Sequence, residues 1–341
     1  MNLEDIAKLA GVSRSTVSRV INDDPNVSDR ARTRVQATID KVGYRPNAAA
    51  RALASHRSHA IGLVVPEDFS QYHVDAWYPL IIEATLAATK KSNQSLVLIM
   101  EDTFSPDAGK RVITNFIDSG RVDGLLLLQH SYRDHLTPQL MERDVPVVLV
   151  AESDIPGTCW VDTDNFGGGK LAASVLAEQG AESVVAFAGT DEHVPSRRRI
   201  EGLRTVFPDA RIVLSGHSHQ RAEAAAFLEL QIHPPDAVFA VNGWIAPAVV
   251  TSAERLEIAI PADMKLIAFD DFDTELSARH NLTTVVQHVT QLADRAVNLL
   301  IDRVEGRSPP GEHIVLETEL IPRGSCNDRV DIPVQGGATT T

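Results

Sequence analysis

Leu3-Glu4-Asp5-Ile6-Ala7-Lys8-Leu9-Ala10-Gly11-Val12-Ser13-Arg14-Ser15-Thr16-Val17-Ser18-Arg19-Val20-Ile21-Asn22 is the stretch from which the rest of the chain is read. Leu3, Ile6, Ala7 and Ala10 recur at helical spacing, Gly11 interrupts them, and Val17, Val20 and Ile21 share one face of a second short helix. Two short helices around a tight, glycine-containing turn form a helix-turn-helix, a motif that lays its second helix in a DNA major groove. With Ser13 as N-cap, Arg14, Ser15, Ser18 and Arg19 fall on the face opposite the valines. An arginine fork donates two hydrogen bonds to guanine O6 and N7, so Arg14 and Arg19 are candidate base readers, while the serines reach bases or phosphates. An ordinary helical pair with solvated arginines is the competing reading of these residues alone.

Working outward, Ser28 can cap a third helix on which Ala31, Val35, Ile39 and Val42 line one side, and Gly43 ends it. That completes a minimal three-helix core. After Tyr44-Arg45-Pro46, the segment Asn47 to Ala54 is alanine-rich and carries Arg51 and Leu53; it is helix-prone but too short to hold a helix alone. The first 59 residues carry ten Lys or Arg against six Asp or Glu, leaving twenty-two against forty for the remainder of a chain whose net charge is −14. A basic head on an acidic body points to nucleic acid for the head, and the body limits non-specific adhesion.

The length of 341 residues allows two or three domains with a large core. Only two cysteines occur, Cys159 and Cys326, which fits a reducing compartment and no disulfide framework. The polar N-terminus does not read as a signal peptide, and no apolar run approaches the roughly 20 residues of a membrane span. A cytoplasmic location with no membrane partner is expected.

From Ala60 the pattern changes to short apolar runs separated by helical stretches: Ile61–Pro66, Ser95–Met100, Gly124–Leu128, Val145–Val150, Val184–Ala188, Arg211–Leu214, Ala237–Val241 and Lys265–Phe269. Such runs are strands of parallel sheets covered on both faces. Their number suits two doubly wound halves. Thr283–Gln287 and Ile314–Leu320 flank a helix from Val289 to Glu305, and strands placed so late imply that the chain crosses between halves more than once. Ligands of such sheets sit beyond the carboxyl ends of the strands, which directs attention to the loops there.

The N-terminal run, continued by Val27-Ser28, Tyr44-Arg45-Pro46-Asn47 and Ala50-Arg51-Ala52-Leu53, resembles the signature of the LacI/GalR family of bacterial transcription regulators nearly residue for residue. The resemblance implies a small all-α helix-turn-helix head and an α/β body of two Rossmann-like subdomains, similar in fold to periplasmic sugar-binding proteins and joined by three crossovers. The expected divisions are a DNA-binding domain over 1–46, a hinge helix and linker over 47–59, an effector-binding and dimerisation domain over 60–324, and a disordered tail over 325–341. Thr16, Asn22 and Arg51 join Arg14, Ser15, Ser18 and Arg19 as implied DNA contacts. Leu53 matches the hinge leucine that wedges into the minor groove, where bending of the duplex repays unstacking.

In the body, the resemblance implies an effector site of Trp77, Tyr78, Asp164, Arg199, Asn242 and Asp270. Trp77 and Tyr78, just ahead of the first body helix, match an aromatic pair that stacks on ligand; core packing competes with that reading. Arg199 matches the arginine three residues before a glycine, while Arg197 and Arg198 read as a solvated face or as backbone caps. Asp270, at a strand end, matches the aspartate that accepts bonds from ligand hydroxyls, against a helix-cap role. Asp164-Asn165 matches an Asp-Asn pair ahead of glycines, with Asn165 as a plain helix cap the competing reading. Asn242 keeps its match, but Gly243 stands where the family usually has aspartate. That departure, with the insertion-like stretch Glu67 to Asp75, marks a pocket unlike those of well-known members.

Other chemistries find no footing. Gly167-Gly168-Gly169-Lys170-Leu171 lacks the spacing of a phosphate-binding loop and reads as close helix packing, no Gly-x-Gly-x-x-Gly follows the first body strand, and no Gly-x-Ser-x-Gly is present. His217 and His219, or Asp270, Asp271 and Asp273, do not make a convincing metal-ligand set. The expectation is therefore a regulator without metal, cofactor or catalysis. It would repress as a homodimer on a palindromic double-stranded operator and be released by a small molecule, with a sugar ahead of a nucleoside or purine. A corepressor-dependent or activating regulator of the same fold is the alternative, and a sugar-binding receptor or α/β enzyme a more distant one.

Overall fold

Asn2 opens the first helix, α1 (Leu3–Ala10): its side chain accepts from the amides of Glu4 and Asp5, while Asp5 accepts from the Asn2 amide in return. Gly11 ends α1 at φ 61°, a left-handed conformation that glycine adopts without steric cost. Arg34 donates to the carbonyl of Ala10 at 2.6 Å and so braces that turn from the third helix. The helices α2 (Arg14–Ile21) and α3 (Asp29–Val42, capped by Ser28) complete a core of Ile6, Ala7, Ala10, Val17, Val20 and Val35.

The structure, a computed structural model, describes residues 1–21, 24–44, 57–66, 75–101, 106–128, 136–191, 193–271 and 274–326. Asn22, residues 47–56 of the expected hinge and linker with Arg51 and Leu53 among them, and residues 67–74 lie outside the described residues. Met1–Ser58 and His59–Thr341 form two separate compact units.

The larger unit holds two six-stranded sheets. The first runs β2 (Ser95–Glu101), β1 (Ala60–Pro66), β3 (Gly124–Leu127), β4 (Val147–Leu149), β5 (Cys159–Thr163) and β11 (His313–Leu316), all parallel. Helices α4 (Trp77–Lys91) and α12 (Val289–Val304) cover one face. The other face carries α5 (Pro106–Asp118) and α6 (Leu136–Met141). The second sheet runs β7 (Arg211–Leu214), β6 (Val184–Ala188), β8 (Ala237–Ala240), β9 (Lys265–Phe269), β10 (Thr283–Val286) and β12 (Glu319–Ile321), with β12 antiparallel to β10. It is covered by α7 (Asn165–Glu178) and α8 (Val194–Arg204) on one face and by α9 (His219–Ile232) and α10 (Ala246–Arg255) on the other. Helix α11 (Thr274–Arg279) lies between β9 and β10 in sequence.

Three passages of chain join the two lobes: Asp164 between β5 and α7, Gln287-His288 between β10 and α12, and Glu317-Thr318 between β11 and β12. The run Ile314–Leu320, expected as one strand, is thus two, one in each sheet. Strand β5 was not anticipated because Asp162 and Thr163 interrupt its apolar pattern; both are buried with their polar atoms bonded, which makes the position tolerable. The ordered body also runs past residue 324, since Ser325 bonds Leu266, Asn281 and Thr283 and Cys326 is buried.

The glycines after Asp164 serve helix packing. A Cβ on Gly169 would collide with the backbone of Arg199 in α8, and one on Gly202 of α8 with the backbone of Phe166 and Lys170 in α7. Reciprocal glycines therefore set the spacing of α7 and α8, and with it the position of Arg199.

Candidate functional site

In the head, Ser13 Oγ accepts from the Thr16 amide at 3.1 Å and shares hydrogen bonds with the hydroxyls of Ser15 and Thr16. The cap thus organises the first turn of α2. Arg14, Ser15 and Arg19 are exposed, Thr16 and Ser18 are half-buried, and Val17 and Val20 face the core. Among the described residues, the carboxylate neighbours of Arg14 and Arg19 are loose, Glu4 at 3.9 Å and Asp24 at 3.8 Å. Exposed ion pairs at such distances are weak, so both guanidinium groups can turn to a phosphate or a base edge.

In the body, Arg199, Asn242 and Asp270 converge beyond the carboxyl ends of β8 and β9. The Arg199 guanidinium is buried, lies 3.5 Å over the centre of the Phe269 ring, donates to Asn165 Oδ1 at 2.9 Å and to the Val241 carbonyl at 2.8 Å, and stands 3.6 Å from Asp270. Burial pulls it below its ordinary pKa, and the charges of Asp270, Asp162 and Asp75 oppose that pull. Asp270 sits at φ 81°, in the left-handed region, and accepts from Gln287 Nε2 at 2.7 Å. Burial raises its pKa, while Arg199 and Gln287 draw it back. Asn242 accepts from Ser196 Oγ at 3.0 Å, and Ser196 in turn bonds His193. A Cβ on Gly243 would stand 3.1–3.2 Å from the Phe269 carbonyl and Asp270, so the glycine makes room for the acid.

From the first lobe, Asp75 approaches this group closely enough to feel the charges of Asp270 and Arg199. Trp77 and Tyr78 are the first two residues of α4 rather than its forerunners, are buried, and meet edge to face at 5.4 Å within the core of the first lobe. Asp75 Oδ1 accepts from the Trp77 amide at 2.9 Å. Burial, followed by the charge of Asp270, pushes its pKa up to about 6, which sets it against the second lobe's acid. Asp164 spends one oxygen as the N-cap of α7, on the Gly167 amide at 2.7 Å. The cap role expected of Asn165 therefore belongs to Asp164, and Asn165 instead orients Arg199. Arg198, expected to be solvated or a cap, is a bidentate partner of Glu152.

Sequence reading missed Asp75, Asp162, Ser196 and Gln287. The Asp75-Ala76-Trp77 order carried a helix-cap signal, but Asp162 and Gln287 are recognisable only from the partners that folding supplies. The set offers what a polyhydroxylated molecule needs: a buried carboxylate beside a guanidinium and an amide, with the Phe269 ring under the guanidinium. Among the described residues no group of three or more His, Cys, Asp or Glu side chains is placed to hold a metal ion.

A helix-turn-helix head joined to a two-lobed body with a buried polar cluster at the carboxyl ends of its strands defines a ligand-responsive DNA-binding regulator. Residues 2–47 match the model for bacterial regulatory proteins of the lacI family, and 173–326 that for a periplasmic binding protein-like domain. The chain is 31% identical to the HTH-type transcriptional regulator CelR of Thermobifida fusca over 95% of its own length and 97% of that protein. It is 30% identical to the sucrose operon repressor of Streptococcus mutans over 92% and 96%, respectively. Among solved structures it resembles a CelR–cellobiose complex (TM-score 0.71, 28% identity, 95% and 99% covered). The lac repressor dimer bound to operator and the anti-inducer ONPF shares the fold (TM-score 0.80, 22% identity, 96% and 99% covered). The chain belongs to the LacI family of bacterial transcriptional regulators.

Proposed function

We propose that this regulator is a repressor that binds a palindromic operator as a homodimer in the cytoplasm, at the nucleoid, and is released when an uncharged sugar fills the cleft. The observation that carries the effector class is the buried Arg199–Asp270 pair, with Asn242 beside it and Asp75 facing it. Adjacent hydroxyls can donate to a carboxylate and accept from a guanidinium or amide at once. An anionic ligand would face Asp75, Asp162 and Asp270 against a single arginine whose charge they already balance. Relatives named for sucrose and cellobiose support the same class.

In the head, Arg14, Ser15, Thr16, Ser18 and Arg19 read the major groove, with Asn22, Arg51 and Leu53 completing the contact. One head covers few base pairs, so a two-fold dimer on a palindrome supplies the affinity. For release, the sugar must bind the operator-free state more tightly than the operator-bound one. The test is a thermal-shift panel of neutral sugars, sugar phosphates and purines, followed by fluorescence anisotropy on DNA selected from a random pool. A neutral sugar should raise Tm, since a hundredfold excess over Kd stabilises by about 2.7 kcal/mol, and should weaken DNA binding. A phosphorylated sugar as the sole hit, or tighter DNA binding with sugar, would overturn the reading.

A further inference from the structure

Arg198 and Arg199 are neighbours on α8, yet they serve opposite ends of one polar chain. Arg199 turns inward to Asn165, Val241 and Asp270. Arg198 reaches the first lobe, where its Nε and Nη2 donate to the two carboxylate oxygens of Glu152 at 2.8 Å each, while Nη1 holds Glu201 at 2.9 Å. Glu152 lies in the loop between β4 and β5, so this two-pronged pair spans the lobes. Such fork-to-fork contacts fix orientation as well as distance.

Behind the pair, the Glu152 amide donates to Asp162 Oδ2 at 2.8 Å. Asp162 Oδ1 accepts from the Thr163 amide at 2.7 Å and from Asn165 Nδ2 at 3.1 Å. Asn165 Oδ1 then accepts from Arg199 Nε. The chain closes on the helix where it began, and it passes the first crossover on the way. A second tie lies beside it: Thr163 Oγ1 and Gln287 Oε1, 3.2 Å apart, bond the first crossover to the second, and Gln287 also holds Asp270. Arg199 and Asp270 are thus each one or two bonds from a group that joins the lobes.

We propose that Glu152 and Arg198 form a latch across the cleft, and that Asp162 is the positioning residue that ties this latch, through Asn165, to the effector-binding arginine. The pair is about a third exposed on each side. Bridges of that exposure alter an equilibrium by a factor of a few, which suits a device that biases the lobes without locking them. The coupling to effector rests on the cleft reading above; the latch itself does not.

The test uses the full chain without ligand or DNA, and follows hydrogen–deuterium exchange by mass spectrometry. Glu152→Gln and Arg198→Gln should each speed exchange severalfold at the three crossovers, in segments 163–165, 286–289 and 316–319. Amides of β1 and β6 should not change. The reciprocal exchange of charges, Glu152→Arg with Arg198→Glu, should restore slow exchange, and Arg198→Lys, which keeps charge but not the fork, should fall between. Asp162→Asn should loosen the Glu152 amide and the first crossover together. Unchanged crossovers in both single variants would overturn the latch, and a Glu152 amide indifferent to Asp162→Asn would overturn the positioning role. With cellobiose, sucrose and ribose as probes, Glu152→Gln should shift half-saturation two- to fivefold. If no neutral sugar of the thermal-shift panel binds the parent protein, the effector class fails while the exchange result decides the latch independently.

Discussion

Asp270 is a non-glycine residue with positive φ at the end of a buried strand, held there by Arg199 and Gln287. Backbone in that region costs of order 1–3 kcal/mol and persists where surroundings over-determine it, commonly at binding sites. Asparagine tolerates the conformation and can still accept from Gln287. Asp270→Asn should therefore stay folded, with Tm within a few degrees of the parent, while sugar affinity falls about a hundredfold or more from the loss of two charge-assisted bonds. A calorimetric titration showing unaltered affinity would remove Asp270 from the site. Arg199→Ala is a poorer probe, because breaking a buried ion pair from one side costs about 3–5 kcal/mol. Asp162 gives a pH test. Burial pushes its pKa from 3.8 up to about 6, the backbone amides of Glu152 and Thr163 only moderating the shift. A raised acid favours folding when protonated, so its contribution is complete below about pH 4 and lost as pH climbs through about 6, roughly 3 kcal/mol in all. The Tm of Asp162→Asn relative to the parent should accordingly rise from pH 4 to pH 7. A difference that stays flat across that range would show that the buried carboxyl is not perturbed.

At the scale of elements, the head separates stability from recognition. Ser13→Ala removes the α2 cap and should cost about 1 kcal/mol, whereas Arg19→Ala, on an exposed face, should leave the melting curve unchanged and abolish specific DNA binding in an electrophoretic shift. Equal loss of stability in both would argue that Arg19 is structural. In the body, Gly202→Ala forces α7 and α8 apart and should cost about 1–3 kcal/mol by overpacking, with sugar affinity lowered because Arg199 moves with α8. Most elements were legible in the sequence for a reason visible in this list: caps such as Ser13 and Ser28, breaks such as Gly11, and continuous apolar strands are local signals. What stayed hidden was non-local. The strand Cys159–Thr163 ends in Asp162-Thr163, and the buried acid is made tolerable by hydrogen bonds from Glu152 and Asn165; the break at Glu317-Thr318 has no glycine or proline to announce it. Arg199, Asn242 and Asp270 carry family spacing, but Asp162 and Glu152 acquire meaning only through partners brought in from other strands.

Over the whole molecule, charge and topology divide the labour. The first 59 residues are basic and the remainder acidic, so DNA affinity should fall steeply and linearly on a log–log plot against salt, while sugar affinity, an exchange of hydrogen bonds in a closed site, should vary little. Parallel slopes for the two would contradict that division. The three crossovers carry a further consequence. The first lobe begins its sheet at Ala60 but receives a core helix, Val289–Val304, and an edge strand, His313–Leu316, only near the far end of the chain. On a ribosome, that lobe waits with the face shared by α4 and α12 only half covered until about 140 residues beyond Thr163 have been made and have cleared the exit tunnel. A nascent protein built this way is vulnerable for much of its synthesis, and its yield in a cell should depend on chaperones that shield a half-finished sheet.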